Sequence, residues 1–382
     1  MPPASLSLLC RVLSLAVFLS AASLAAASLT LEWDDNSGNE EAFIVERSAD
    51  GLAYAEIARV PANRTSYTDT RVIEGKAYFY RVRAVNAFGA SEPSNATSGA
   101  VLPEGFDGSG ERLLVNLSAR ARAGQGDGAL IVGFVVEGSG AKRALVRGIG
   151  PHLKRFGVPG AVADPSLALY RAGSSRRIGS NDDWWAAANG GLVAEASLRV
   201  GAFPLSEGSR DAALLASLSA GGHTAHVQGG GGVAMVEVYD ADATALGEPL
   251  AARLSNLSLR GRVGSGREAV IMGFVVGGDT PKRVLIRAVG PELAGFGIER
   301  FLADPKLTLY KGPHRLLVND DWEEDRPSVK ELSARLGALP LEAGSTSAAA
   351  AVWLEPGAYT VLASGVGGAA GVALMDVFAA AR

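Results

Sequence analysis

A long internal repeat governs what this chain can become. The stretch RLLVNLSARARAGQGDGALIVGFVVEGSGAKRALVRGIGP, from Arg112, aligns with ARLSNLSLRGRVGSGREAVIMGFVVGGDTPKRVLIRAVGP, from Ala252, at an offset of 140. Asn116 falls on Asn256, Gly133-Phe134 on Gly273-Phe274, and Gly150-Pro151 on Gly290-Pro291. Later landmarks agree with small shifts: Ala163-Asp164-Pro165 with Ala303-Asp304-Pro305, Leu169-Tyr170 with Leu309-Tyr310, and Asn181-Asp182-Asp183-Trp184 with Asn319-Asp320-Asp321-Trp322. Solenoid units run about 20 to 50 residues, whereas a unit of this length is large enough to own a core. The chain therefore reads as tandem domains, 111–242 and 243–382, with the boundary near 243–248.

Each copy is written mostly in strands, with apolar alternation over 113–119, 130–136, 143–147, 167–170, 213–218, 224–228 and 234–239. One helix is clear in the second copy: Pro327 suits a first turn, Val329, Leu332 and Leu336 share a face, and Gly337 ends it. The stretch 191–201 reads as its counterpart in the first copy. About eight strands and one helix per copy predict two tandem jelly-roll-like β-sandwiches, so the fold class is all-β.

Residues 28–101 form a different unit, with short strands at 29–33, 43–47, 54–60, 66–69 and 77–85 and a hairpin turn at Asp50-Gly51. In the last of these strands Tyr78, Tyr80, Val82 and Ala84 share one face, which predicts a core against Trp33. The run LTLEWDDNSGNEEAFIVERSADG, then TSYTDT, then AYFYRVRAVNAFGASEPSN, resembles a bacterial fibronectin type III domain. The resemblance departs at the start, since Leu29 to Trp33 corresponds to the second strand and the first is short or missing. An open second strand is an edge able to accept a strand from elsewhere. Residues 102–110 are a Gly-rich linker. The two copies resemble repeat modules found toward the ends of large secreted bacterial proteins, and their ADPxLxLY, SNDDW and PGAYTVLASG segments are faintly similar to bacterial pre-peptidase C-terminal domains. That second resemblance implies an accessory sandwich of a secreted hydrolase, some of which bind calcium or matrix polymers.

Residues 1–27 read as a secretory signal peptide: Arg11, an apolar run over 12–19, then small residues ending Ala25-Ala26-Ala27. The run is short of the about 20 apolar residues of a membrane span. Cys10, the single cysteine, would leave with it, and disulfides and thiolate sites with Cys10. Of 36 basic residues 35 then remain against 40 acidic, with no basic patch, which argues against nucleic acid as a partner. No later run spans a membrane, so the mature chain is expected to be secreted and soluble.

Most of the usual parts of an enzyme are absent: there is no GxSxG elbow, HExxH or phosphate-binding GxxxxGK[ST] loop. His223 and His226 lie three apart on a strand and point to opposite faces, and the second copy has Tyr359 and Leu362 in their places. The repeated acids are better candidates. Asn181, Asp182 and Asp183, like Asn319, Asp320 and Asp321, offer hard oxygens for calcium, with Asp164 or Asp304 expected nearby and backbone carbonyls and water supplying some of the six to eight oxygens a calcium ion takes. The same residues make Asx-stabilised turns on which Trp184 or Trp322 packs. The expectation is a non-enzymatic adhesion or scaffold protein that binds an extracellular protein or polysaccharide. The alternative is an accessory, calcium-binding module of a secreted hydrolase system.

Overall fold

The computed structural model describes residues 9–11, 27–106, 113–125, 129–186, 188–242, 251–264 and 269–380. The boundary at 243–248 and most of the leader and linker lie outside these residues. The all-β expectation holds, with 22 strands and two α-helices among them.

The N-terminal unit comprises β1 (Leu9–Arg11), β2 (Leu29–Asp34), β3 (Ala42–Ser48), β4 (Ala55–Pro61), β5 (Ser66–Asp69), β6 (Lys76–Asn86), β7 (Gly89–Ala90) and β8 (Thr97–Val101). One sheet runs β1-β2-β5; the other runs β4-β3-β6-β7, with β8 also on β6. Alternation in β6 points Tyr78, Tyr80, Val82 and Ala84 at Leu31, Trp33 and Phe43, and these form a core of their own. The Asp50-Gly51 turn is present: Gly51 has φ 77°, and the Asp50 carboxylate accepts the Leu52 and Ala53 N–H groups. The outer edge of β2 is met by β1, with Cys10 opposite Trp33.

The first copy contains β9 (Leu114–Ala123), β10 (Leu130–Ile149), β11 (Ser166–Arg171), β12 (Arg177–Asn181), α1 (Gly190–Arg199), β13 (Ala212–Gln228) and β14 (Gly232–Asp240). The second contains β15 (Ala252–Val263), β16 (Val270–Val276), β17 (Lys282–Val289), β18 (Pro305–Lys311), β19 (His314–Asn319), α2 (Arg326–Leu336), β20 (Ala348–Leu354), β21 (Gly357–Gly365) and β22 (Gly371–Ala380).

The copies trade their first strands. β9 pairs with β14 of its own copy on one side and with β16 of the other copy on the other side. β15 does the reverse, pairing with β22 and with β10. The two crossings are related by the repeat: Asn116 lies opposite Val275 and Asn256 opposite Val135, with the same register shift one residue further along. One path of strands runs β12-β11-β13-β10-β15-β22-β17-β20 and the other β19-β18-β21-β16-β9-β14-β10. β10 serves both, its first half beside β15 and its second half beside β14. Between the halves the chain bends through Gly138, where φ is 102° and a Cβ would meet the Ala251 carbonyl oxygen at 2.2 Å.

Length alone predicts a core for each copy, and here the structure corrects the sequence reading. The main core draws Leu117, Phe134, Val146 and Val236 from the first copy and Leu257, Phe274, Ile286 and Val377 from the second. Strand alternation then leaves Leu145 and Ile149, or Leu285, on the opposite faces, which α1 and α2 cover through Val193 and through Val329 with Leu332. Burial on both faces is why these strands read as nearly continuous apolar runs. α2 ends at Gly337, in the left-handed conformation the sequence predicts there.

The N-terminal sandwich is seated on the second copy. Phe79, on the face of β6 opposite Tyr78, is buried in the shared core rather than its own. The Trp353 N–H donates to Ser98 Oγ at 2.7 Å, and the Ala77 N–H donates to Glu355 Oε1 at 2.7 Å.

Candidate functional site

The Asn-Asp-Asp-Trp segments occupy the same place in both copies, at the end of β12 or β19. Asn181 Oδ1 accepts the Ala213 N–H at 2.8 Å and its Nδ2 donates to the Asp183 carbonyl. Asn319 does the same with Ala349 N–H, at 2.8 Å, and the Asp321 carbonyl. Both asparagine oxygens are thus occupied in pinning the turn to the next strand. Trp184 and Trp322 are buried, each indole N–H donating at 3.2 Å to a loop carbonyl, Ser206 or Glu342. Asp182 and Asp183 are exposed; Asp164 pairs instead with Arg210 at 2.7 Å. Asp320 lies 3.8 Å from Lys306, and burial together with Asp320, Asp304 and Glu323 pushes the Asp321 carboxyl up. Burial, with Asp320 and Asp321, also raises Glu324. Among the described residues, no three His, Cys, Asp or Glu side chains are grouped to hold a metal.

A second cluster escaped the sequence. His152 Nδ1 lies 2.5 Å from Asp211 Oδ2, and its Nε2 lies 3.4 Å from Ser206 Oγ. A hydroxyl, an imidazole and a buried carboxylate in that order are the parts of a nucleophile and its base. Their hydrogen bonds serve another end. Nε2 accepts the Ser206 backbone N–H at 3.0 Å, Ser206 Oγ accepts from Arg155, and Asp211 Oδ1 accepts the Gly150 N–H. In the second copy Glu292 stands at the position of His152, accepting the Ser347 hydroxyl and the Glu342 N–H, while Ser347 Oγ takes the Gly290 N–H. The same loop is latched there by a carboxylate and a hydroxyl, with no imidazole between them. The paired exchange, His to Glu and Asp to Ser, was the available signal.

Beneath each helix lies a buried ion pair, Arg147 with Glu237 at 2.5 Å and Arg287 with Asp376 at 2.6 Å. Each guanidinium also donates to the carbonyl of the loop after the helix, Phe203 or Leu339. His223 stacks on Phe134 at 5.5 Å, where the second copy stacks Tyr359 on Phe274 at 5.5 Å, and His226 lies instead against Tyr170. Burial lowers both histidines, which keeps the neutral form favoured.

What both copies expose is aromatic. The 3₁₀ turns Pro151–Phe156 and Pro291–Phe296 end on glycines with φ of 68° and 76°, and they hold Phe156 and Phe296 outward with 60% and 65% of their surface exposed. Phe203 supports Phe156 edge-on at 5.2 Å. Along α2 a groove of about 250 Å³ is lined by Trp322, Val329, Ala338, Pro340 and Leu341.

Residues 18–100 match the fibronectin type III domain family, so the match begins inside the segment read as a leader. It covers the N-terminal sandwich; the resemblances read for the two copies rest on their motifs alone. Solved structures are similar only loosely. The twitchin kinase region from C. elegans is 22% identical with a TM-score of 0.19, over 22% of this chain and 15% of that one. The chicken CNTN1 FN1–FN3 domains are 9% identical with a TM-score of 0.19, over 90% of each chain. The α-L-rhamnosidase of Aspergillus terreus is 9% identical with a TM-score of 0.18, over 91% of this chain and 45% of that one. No helix among the described residues is long and apolar enough to cross a membrane.

Proposed function

We propose that the protein is a secreted, non-enzymatic scaffold whose sandwiches present fixed surfaces to an extracellular protein or polysaccharide. One observation carries this reading: Phe156 and Phe296 stand exposed at equivalent positions of both copies, on turns that glycine caps hold in place. Large exposed aromatics supply contact area at small entropic cost, and two on one body allow a repetitive partner to be held twice. The fibronectin type III domain supports a binding role, since such sandwiches serve as modular binding units. The polar clusters support it too, because each holds a loop in both copies although the residues differ.

The test is depletion of the purified chain from solution by insoluble polysaccharides and by immobilised extracellular-matrix proteins. Binding to at least one, weakened several-fold by Phe156→Ala or Phe296→Ala and more than additively by both, is the expected result. Equal retention of wild type and double variant would remove the aromatic turns from the function.

A further inference from the structure

The exchange of first strands builds one body with two ends that correspond by the repeat but are covered differently. At the second copy's end, Leu316 of β19 and Ala350 and Val352 of β20 are buried, with 4–5% of their surfaces exposed. The N-terminal sandwich covers them: Phe79 joins the same core, a Cβ at Gly51 would lie 2.8 Å from Leu316, and Ser98 takes the Trp353 N–H. At the first copy's end the counterparts are Ile178 of β12 and Leu214 and Ala216 of β13. Ile178 is 43% exposed, and Leu214 and Ala216 are half-buried. Among the described residues no strand lies along the outer edge of 213–219, whose inner edge pairs with β10.

That edge is unguarded. Residues 213–219 read Ala-Leu-Leu-Ala-Ser-Leu-Ser, with no charge, proline or glycine to discourage another strand. Its two extremities carry opposite charge. At Ala213 the Asn181 turn sets the exposed Asp182 and Asp183; at the far extremity the exposed Arg171 holds Ser219 Oγ at 2.6 Å. Antiparallel pairing of two such edges brings the acids of each to Arg171 of the other. The fibronectin-like sandwich that caps the other end is already engaged there.

We propose that the first copy's end is a homodimer interface, in which β13 edges of two chains pair antiparallel across a two-fold axis and cover Ile178, Leu214 and Ala216. The arrangement is isologous, the form self-complementary patches give, and it extends the sheet by strand addition.

Sedimentation of the full chain across micromolar to high-micromolar concentrations tests it. The expected result is a reversible monomer–dimer equilibrium that added salt weakens several-fold. Ser217→Pro removes an N–H which, like that of Trp353, points away from the sheet, so the monomer keeps its melting temperature while the dimer is lost. Ile178→Lys acts on the apolar strip alone and is expected to do the same. A wild-type chain that stays monomeric throughout, or a dimer that survives both variants, overturns the proposal. In the first case a different partner covers this end.

Discussion

Leu117→Ala offers the sharpest test of the exchanged first strands. Leu117 is fully buried in β9, opposite Val238 of its own copy and Phe274 of the other. Truncating a buried leucine costs about 2–5 kcal/mol, of which part is transfer and part the cavity left behind. At about 3 kcal/mol, protection of amides that exchange through global unfolding falls a little over a hundredfold. Because one core spans both copies, that fall is expected in β21 of the second copy as well as in β14 of the first. Native-state hydrogen exchange read by mass spectrometry reports the two strands separately. Leu257→Ala, its mirror across from Phe134, is expected to give the same pattern. If the slowest amides of β21 keep wild-type protection in Leu117→Ala, the copies unfold independently and the shared core is refuted.

Three further outcomes follow from the polar clusters. Arg147→Met leaves Glu237 buried without its partner and is expected to lower stability in urea titration by about 3–5 kcal/mol, whereas adding Glu237→Leu recovers most of that loss. Glu324 has its pKa raised in the folded state, chiefly by burial, so its favourable contribution exists below the ordinary glutamate range and is lost as pH rises through the folded value; Glu324→Gln is expected to raise the urea midpoint at neutral pH and leave it unchanged in acid. Millimolar calcium is expected to leave the melting temperature unchanged, because both turn asparagines already spend their oxygens on backbone; a rise abolished by Asp182→Ala and Asp320→Ala would instead place an ion at these turns.

The strands were legible because alternation and turn residues are local. Residues 66–69 appear as a strand at the same limits, and β6 extends the expected 77–85 by one residue at each end. The strand exchange was not legible, since β9 shows one alternation whichever strand lies beside it, and choosing between β10 and β16 is a tertiary matter. The same limit hid the seat of the N-terminal sandwich, although Phe79, apolar on a face that an isolated domain would turn to water, was a local hint. The Asn-Asp-Asp-Trp motif was visible by repetition, but where its amide oxygens go depends on β13 and β20, some 30 residues on. Arg147 and Glu237 are 90 residues apart, and only their recurrence as Arg287 and Asp376 inside apolar strands betrays a paired role.

The two copies keep the same loops with different side chains. At the latch, His152 and Asp211 give way to Glu292 and Ser347 while each cluster still ties the 3₁₀ turn to the start of the following strand. A carboxylate can move a proton as an imidazole can, so what the exchange preserves is the hold on the loop, which His152 and Glu292 both keep. The turn so held carries Phe156 or Phe296, and these aromatics stay outward in both copies. The ends follow the opposite rule: Leu316 is covered and Ile178 is exposed, although the strands beneath them correspond. Phe156 and Phe296 are therefore surface features that the copies share, and the uncovered Ile178 is one that sets the first copy apart.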